Sequence, residues 1–269
     1  MAKHEGVLEL SGKLGDLIFY GNGRTRSKSK KPHNLSEESK KTAHDFGQAS
    51  RNAAYIRKAF APMVTAFPSK KLISRLNKCL IDIFKTIPST EKGNKKLIDG
   101  NLNLLQNFEF NEYTPLNKLL LKELSILITQ DGLLKLSLAK SEMNTFVENA
   151  SNEPSIFIKL MAFNFDLIGD SYEIFEADDL ELDLNDNLFP GANLTITTNQ
   201  QGEKALIITI GVYYGSTNSR SWNRQYFACK IAQAMHLKDG VPVHFIKPVV
   251  QINTMTKKES SLTWTINKV

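Results

Sequence analysis

Apolar residues recur at the spacing of an α-helix in two segments between residues 36 and 87. In the first segment they lie three and four positions apart and so share one helix face: Phe46, Ala49, Ala53, Ile56 and Phe60. Ser36 precedes this segment as a capping residue, and Glu37 and Glu38 suit the positive end of the helix dipole. The pattern predicts a helix that begins after Ser36.

The second segment predicts a helix from about Ser69 to Ile87. Its apolar face is formed by Leu72, Ile73, Leu76, Cys79, Leu80, Ile83, Phe84 and Ile87. The opposite face is mostly basic and carries Lys70, Lys71, Arg75, Lys78 and Lys85. Both predicted helices therefore have an apolar face that needs a counterpart.

Beyond Asn101 the apolar pattern changes to the two-residue period of β-strands. The candidate strands are Leu104–Phe110, Leu121–Thr129, Leu133–Ala139, Ser155–Ile168, Asp179–Leu184, Asn193–Thr198, Ala205–Tyr214, Gln225–His236, Val241–Ile246 and Ser261–Ile266. Asp131-Gly132 is a strong hairpin signal between two of them, and Gln200-Gln201-Gly202 and Lys238-Asp239-Gly240 mark further turns. Short strands at this spacing predict an antiparallel β-sandwich or barrel, so the expected fold class is α+β.

The N-terminal segment Gly6–Tyr20 predicts two short strands with a turn over Gly12–Gly15, because glycine enters positive φ without steric cost. In the basic segment that follows, cations alternate with small hydroxyl side chains. If this segment is extended, one side carries Arg24, Arg26, Lys28 and Lys30, and Lys31 ends the run. We expect a basic hairpin-plus-helices module over residues 1–100 and a β-rich sandwich domain over residues 101–269.

The formal net charge of +6 is unevenly distributed along the chain. Residues 1–100 carry 20 Lys and Arg against 9 Asp and Glu, a net charge of +11. Residues 101–200 carry 5 against 16, a net charge of −11, and residues 201–269 carry 9 against 3, a net charge of +6. This segregation has two interpretations: the basic region docks on the acidic middle, within one chain or head-to-tail, or it faces nucleic acid or another polyanion.

Composition and motifs exclude several classes of protein. The apolar fraction of 41% suffices for a packed core, and no apolar stretch reaches the length of about 18 residues that membrane insertion needs. Because Met1–Gly6 lacks the apolar core of a signal peptide, we expect a cytoplasmic protein, or one delivered by a signal-peptide-independent route. The chain has no phosphate-binding loop, nucleophile elbow or metalloprotease motif, so we expect neither catalysis nor a cofactor.

Potential metal ligands are few. Two cysteines, Cys79 and Cys229, lie far apart in the chain, and His236 and His244 can meet only across a hairpin. The acidic segment Glu173–Asp186 offers hard oxygen ligands for Ca²⁺, although it lacks the EF-hand spacing. Its alternation of leucine and carboxylate also fits a half-buried strand with leucines inward and carboxylates outward. We expect no metal site, and cation binding by the acidic segment stays open.

A polar loop between two predicted strands, Gly215–Arg224, places Trp222 between Arg220 and Arg224. A tryptophan between two arginines is typical of a partner-contact site or of a platform for base stacking. Alternatively, Trp222 folds back onto the end of the sandwich and leaves the arginines in solvent. The sequence leaves both possibilities open.

The opening segment resembles a family of uncharacterised bacterial proteins. Their pattern is a Ser-Gly-Lys-x-Gly-x-x-x-x-Tyr hairpin, then Arg-Ser-Lys-Pro-like residues and a helix rich in Ala, Gln, Arg and Phe. The matching residues here are Ser11–Tyr20, Arg26-Ser27-Lys28 and Phe46–Phe60, and this chain has Ser29 at the position of the proline. The resemblance covers roughly the first 60 residues, and the family has no known activity that it could imply for this chain.

These observations favour a non-catalytic structural or protein-binding protein that assembles with itself or with a partner. A short hairpin cannot bury both of its faces, and two amphipathic helices need a counterpart, which the sandwich itself could provide. The alternative is sequence-independent binding of nucleic acid through the basic N-terminal third. The expected contacts are then the cations of the basic segment.

Overall fold

The N-terminal strands form a small antiparallel sheet of their own. The computed structural model describes residues 2–3, 11–20, 24–28, 34–64, 71–148, 153–166, 171–216, 219–221 and 223–248. The four strands lie in the order β1-β4-β3-β2 and are β1 (Ala2–Lys3), β2 (Gly12–Leu14), β3 (Leu17–Tyr20) and β4 (Arg24–Ser27). The tight turn between β2 and β3 lies at Gly15-Asp16, not over Gly12–Gly15, because Leu14 already pairs with Leu17.

The two predicted helices are present, and a short helix separates them. The three are α1 (Glu37–Ala59), α2 (Ala61–Val64) and α3 (Leu72–Thr86). Ser36 caps α1 as expected, with its Oγ accepting the Ser39 N–H at 3.2 Å. The predicted burial of Phe46 is wrong, because its side chain is 55% exposed. Asp45, one position earlier, is buried instead, and both of its carboxylate oxygens accept a hydrogen bond from the Gly93 N–H at 3.0 Å.

Most predicted strands of the second half are present within one or two residues. The strands observed there are β5 (Ser125–Ile128), β6 (Leu133–Leu138), β7 (Ser141–Glu142), β8 (Ser155–Asp166), β9 (Ser171–Glu176), β10 (Leu180–Asp183), β11 (Leu188–Phe189), β12 (Ala192–Thr197), β13 (Glu203–Ser216), β14 (Ser219–Arg220), β15 (Phe227–Lys238) and β16 (Val241–Val243). Of these, β7, β9, β11 and β14 were not predicted, and β5 and β16 are shorter than predicted by four residues at the start and three at the end, respectively. The predicted strands at 6–10 and 261–266 lie outside the described residues. The hairpin predicted at Asp131-Gly132 is confirmed by the pairing of β5 with β6.

The segment predicted as strand Leu104–Phe110 is mostly irregular. Among the described residues, short helical segments occupy this part of the chain and other connections. They are the 3₁₀ turns Ser89–Glu91, Leu97–Asp99, Leu102–Leu105 and Arg224–Tyr226, with α4 (Leu116–Leu119) and α5 (Met143–Phe146). After a positive φ at Asn107, the chain runs beside β15, where the Phe110 N–H donates to the Cys229 carbonyl at 2.8 Å. The apolar alternation therefore reflects packing along β15 rather than a regular strand.

A seven-stranded antiparallel sheet is the centre of the fold, with the order β10-β8-β13-β15-β16 and with β9 and β14 added to β8 and β13. Its two central strands, β8 and β13, are buried along nearly their whole length. Alternate side chains on one face pack against α1, α2 and α3. The other face packs on a three-stranded sheet, β12-β6-β5, which forms a sandwich with it.

This layering explains the α+β class that the sequence predicts. Both apolar helix faces find their counterpart in the central sheet, with Leu76 and Leu80 of α3 fully buried in the same core as Phe163. A layer of helices and a second sheet thus cover the two faces of one sheet. Among the described residues, no helix is both long and apolar enough to cross a membrane.

Candidate interaction surfaces

The N-terminal sheet gathers cations on one of its faces. Across the strands, Arg24 lies opposite Tyr20, and Arg26 lies opposite Ile18. Ile18 in turn lies opposite Lys13 of β2. Because side chains directly opposite each other point to the same face, the three cations share a face with Ile18 and Tyr20. We call this set, Lys13, Ile18, Tyr20, Arg24 and Arg26, the basic face.

The cations of the basic face are exposed, as is Lys28, which follows β4. The backbone N–H of Lys28 donates to the Asp16 carbonyl at 2.6 Å, so pairing continues one residue beyond the strand. The predicted contacts Lys30 and Lys31 lie outside the described residues. Sequence alternation thus placed Arg24 and Arg26 together, whereas Lys13 and Tyr20 join them only through the strand register.

The opposite face of the same sheet is apolar at the hairpin tip. Leu14 and Leu17 are a cross-strand pair next to the Gly15-Asp16 turn. Their side chains are 72% and 44% exposed. Neighbouring apolar side chains at the tip of a small sheet form a patch that a partner can cover. The signal in the sequence is that β3, Leu17-Ile18-Phe19-Tyr20, is apolar at every position, so neither of its faces is fully polar.

The loop predicted as a partner contact is anchored at its base. Strand β14 pairs with the end of β13, with Arg220 opposite Gly215. The Arg224 carbonyl accepts hydrogen bonds from Asn111 Nδ2 at 2.8 Å and from Thr114 Oγ1 at 3.1 Å. The Arg224 guanidinium lies 5.3 Å from the ring centre of Tyr113, which is 56% exposed. Trp222 lies outside the described residues.

Tyr113 is the residue of this loop surface that sequence reasoning missed. Its stacking on Arg224 is a cation–π contact at the surface, worth about 0.5–1 kcal/mol. Tyr113 and Arg224 are more than a hundred positions apart in the chain, so no local pattern joins them.

The acidic segment is a strand with internal ion pairs. Leu182 is buried while Glu181 and Asp183 on either side are exposed, which confirms the predicted alternation. On the helix-facing side, Lys159 Nζ lies 3.0 Å from carboxylate oxygens of both Glu176 and Asp179. Burial alone would lower the pKa of Lys159, but its hydrogen bonds to these carboxylates raise that pKa above its ordinary value. Lys159 is therefore a permanent structural cation.

Asp179 and Glu173 of the segment make further contacts. Tyr213 donates its hydroxyl proton to Asp179 at 2.6 Å, and Lys204 Nζ lies 3.5 Å from Glu173. In the part of the chain that the structure describes, no three metal-ligating side chains cluster around one point. These carboxylates therefore neutralise the buried lysines Lys159 and Lys204.

The two thiols lie in environments that suppress their reactivity. Burial raises the pKa of the Cys79 thiol to about 11, and its Sγ lies 3.2 Å from the Leu104 carbonyl oxygen. Burial also raises the pKa of Cys229 well above its ordinary value, and its Sγ lies 3.1 Å from Met63 Sδ. A reactive cysteine needs a lowered pKa and solvent access, so both thiols act as core side chains.

A cavity of about 690 Å³ lies beside β16. Its walls include both histidines of the last hairpin, His236 and His244. His236 Nε2 lies 3.0 Å from Glu203 Oε1, so the imidazole already has a carboxylate partner. His236 thus makes a polar contact within the sheet.

Comparisons of the chain with protein-family models, with curated proteins and with solved structures gave no match. The resemblance over the first 60 residues therefore stays a prediction. Among the described residues, the candidate interaction surfaces are the two faces of the N-terminal sheet, the Tyr113–Arg224 surface and the exposed carboxylates of β10.

Proposed function

We propose that the protein is a non-catalytic structural or protein-binding protein that assembles, with itself or with a partner, through its N-terminal sheet. The exposure of the cross-strand pair Leu14 and Leu17 at the hairpin tip carries this proposal. A small isolated sheet is marginally stable in water, so an apolar face on it favours burial against another surface. Burying such leucines contributes about 1.5–3 kcal/mol each.

The helices use their apolar faces mainly for packing within the chain rather than for assembly. The central sheet covers most of their apolar faces, where Ile56, Phe60 and Leu80 are fully buried, and leaves Phe46 and Ile73 exposed. Each described strand of the N-terminal sheet pairs within that sheet, and its tip projects apolar side chains into solvent. The N-terminal sheet is thus a binding element attached to a folded core.

Replacing the tip pair, Leu14→Ser with Leu17→Ser, is expected to weaken assembly by about tenfold or more, because the apolar area available for burial is lost. Sedimentation velocity over a wide concentration range measures the change. Leu127→Ser is the matched control, since Leu127 is 58% exposed on β5 in the sandwich. Far-ultraviolet circular dichroism verifies that both proteins fold. Equal assembly of the tip variant and the wild type contradicts the proposal, as does a wild type that is strictly monomeric and captures no partner.

Polyanion binding is a second candidate, and the register of the N-terminal sheet supports it. Lys13, Arg24 and Arg26 share one exposed face, and Tyr20 lies opposite Arg24 where it can stack on a base. Contacts from such cations go to phosphates, so binding is strongly salt-dependent and indifferent to sequence.

If this second candidate holds, the double variant Arg24→Ala, Arg26→Ala loses affinity for duplex DNA about equally for all sequences. Its log K against log salt slope falls in magnitude by about 2, because each lost phosphate contact removes about 1. Fluorescence anisotropy at several salt concentrations measures both quantities. Lys118→Ala, at an exposed lysine of α4, is the control. Absence of wild-type binding at low salt rejects the candidate.

A further inference from the structure

The outer edge of β15 has a gap in its strand pairing. At one end of the gap the Ile231 N–H donates to the Phe108 carbonyl at 2.9 Å, and at the other end β16 pairs with residues 236–238. Between these contacts, no part of the chain that the structure describes pairs with residues 232–235 on this edge. Ala234, within the gap, is buried, so water has little access to the backbone N–H and C=O groups that the edge leaves unpaired.

Two cavities flank this gap on opposite faces of the central sheet. The cavity of about 690 Å³ lies on the helix side, where Leu102 of the helix-facing core forms part of its wall. A second cavity, of about 430 Å³, lies on the sandwich side, with Leu120 of the sandwich core in its wall. Gln233, within the gap, belongs to the walls of both cavities. We call the gap together with these two cavities the edge groove.

The edge groove has the chemistry that binds an extended polypeptide. A free strand edge presents N–H and C=O groups in a row, and another extended chain supplies the complementary groups at the same spacing. The side chains of that chain point alternately to the two faces of the sheet and so enter the two cavities in turn. The helix-side wall includes the apolar Ile98 and Phe245, whereas the sandwich-side wall includes the polar Asn107 and Lys230. The matching occupant therefore alternates apolar and polar residues.

The predicted strand at residues 261–266, which lies outside the described residues, has this alternation in its sequence. Its apolar residues Leu262, Trp264 and Ile266 are separated by threonines. Pro248 is in the wall of the helix-side cavity, and twelve residues separate it from Ser261. Twelve residues reach about 40 Å when extended. The gap of four residues is only about 13 Å long, so the predicted strand can reach it.

We propose that residues 261–266 add to the edge of β15 in their own molecule and fill the edge groove. Four of these residues occupy the gap, with Trp264 in the helix-side cavity and the neighbouring threonines on the sandwich side. Attachment to the same chain gives the segment an effective concentration in the millimolar range, which favours it over the segment of a second copy. The contact satisfies the edge of β15 and prevents another chain from pairing there. This inference does not depend on the N-terminal sheet.

The fluorescence of Trp264 tests the proposal. The chain has two tryptophans, Trp222 and Trp264, so Trp222→Phe leaves Trp264 as the single indole. In this variant the emission is expected to be blue-shifted, and quenching by acrylamide severalfold weaker than in denaturant, because the indole is enclosed in the cavity.

A charge in the cavity wall should release the indole. Val243→Asp, added to Trp222→Phe, changes a residue that is 42% exposed and lies in the wall of the helix-side cavity. It is expected to return the emission and the quenching of Trp264 to those of an exposed indole, because an apolar strand no longer fits beside a carboxylate. Val241→Asp is the matched control, since Val241 is 51% exposed on the same strand and is not part of that wall.

Leu262→Asp is a second variant that changes no residue of the two cores, with Thr256→Asp as its control. It is expected to expose Trp264 and to speed hydrogen exchange of the backbone amides at residues 232–235.

An exposed Trp264 in the folded Trp222→Phe protein overturns the proposal, as does equal protection of Trp264 in Val243→Asp and Val241→Asp. Protection that rises with protein concentration overturns it too, since the segment then binds a second copy. The variant Leu14→Ser with Leu17→Ser is expected to leave Trp264 protected whether or not it assembles, so this proposal and the proposed function fail separately.

Discussion

Replacing Gly132 by alanine is expected to lower the free energy of unfolding by about 2–5 kcal/mol. Gly132 forms the β5–β6 turn with a φ of +90°, a conformation that costs a residue with a Cβ about 1–2 kcal/mol. A methyl group there would also overlap the Thr198 carbonyl oxygen, which belongs to the backbone and cannot rotate away. The overlap adds about 1–3 kcal/mol because hydrogen bonds hold the two segments of the chain in place. In these hydrogen bonds the Thr198 N–H and the Thr198 hydroxyl donate to the Gly132 carbonyl at 2.8 Å and 3.1 Å.

Gly202 provides a control that separates the two contributions. Its φ is +80°, close to that of Gly132, but nothing lies within 4 Å of the position where a methyl group would be placed. Gly202→Ala is therefore expected to cost only the backbone term of about 1–2 kcal/mol. Urea denaturation of the wild type and both variants gives the differences, provided that the m values agree. Equal losses for the two variants would show that the approach of Thr198 to the turn is not a close packing contact.

The sequence predicted the elements of this fold better than their contacts. Local signals suffice for elements: the Ser36 cap begins α1, and Asp131-Gly132 turns β5 into β6. Helix periodicity alone does not decide which residue is buried before Ala49. Phe46 and Asp45, three and four positions earlier, both fit the buried side of the helix. Only the loop that brings Gly93 to α1 decides that Asp45 is buried and Phe46 is exposed.

Arg75 shows the same limit more sharply. Helix periodicity places it on the basic outer face of α3, but it is partly buried and its Nη2 donates to the Glu109 carbonyl at 2.5 Å. Its guanidinium also lies 5.1 Å from the ring centre of Phe108. Burial raises the pKa of the Glu109 carboxyl in the same region. This cluster forms because the segment around Glu109 contacts α3 and runs beside β15. The pattern of one helix cannot predict that contact.

For the interaction surfaces, the sequence predicted the alternating cations but not the face they complete. The predicted turn over Gly12–Gly15 implies another register for the hairpin, and a shift of one residue moves a side chain to the other face. The observed turn at Gly15-Asp16 sets Lys13 opposite Ile18, and thereby places Lys13 with Arg26. Register is a property of the turn geometry, so the charge pattern alone could not supply it.

Gly211→Ala is expected to destabilise the protein by about 2–4 kcal/mol, because the centre of β13 has no room for a side chain facing the helices. A methyl group at Gly211 would overlap Met63 Sδ and would lie 2.8 Å from Met63 Cγ and 2.9 Å from its Cε. Met63 of α2 is fully buried, and its sulfur lies 3.1 Å from Cys229 Sγ, so the thioether has little space into which to move. Gly47→Ala in α1 is a control with the opposite expected sign. Nothing lies within 4 Å of a Cβ placed at Gly47, so this substitution is expected to raise the free energy of unfolding by about 0.5–1 kcal/mol.

A double-mutant cycle identifies Met63 as the cause. Met63→Ala alone should cost about 2–5 kcal/mol through the cavity that it leaves. In the Met63→Ala background the new methyl group of Gly211→Ala enters that cavity, so its cost should vanish or change sign, with a coupling energy of about 2 kcal/mol or more. Denaturant unfolding of the four proteins measures this coupling. If the losses in free energy of unfolding are additive, the cost of a side chain at Gly211 does not come from contact with Met63. That result would contradict direct packing of Met63 on the centre of β13.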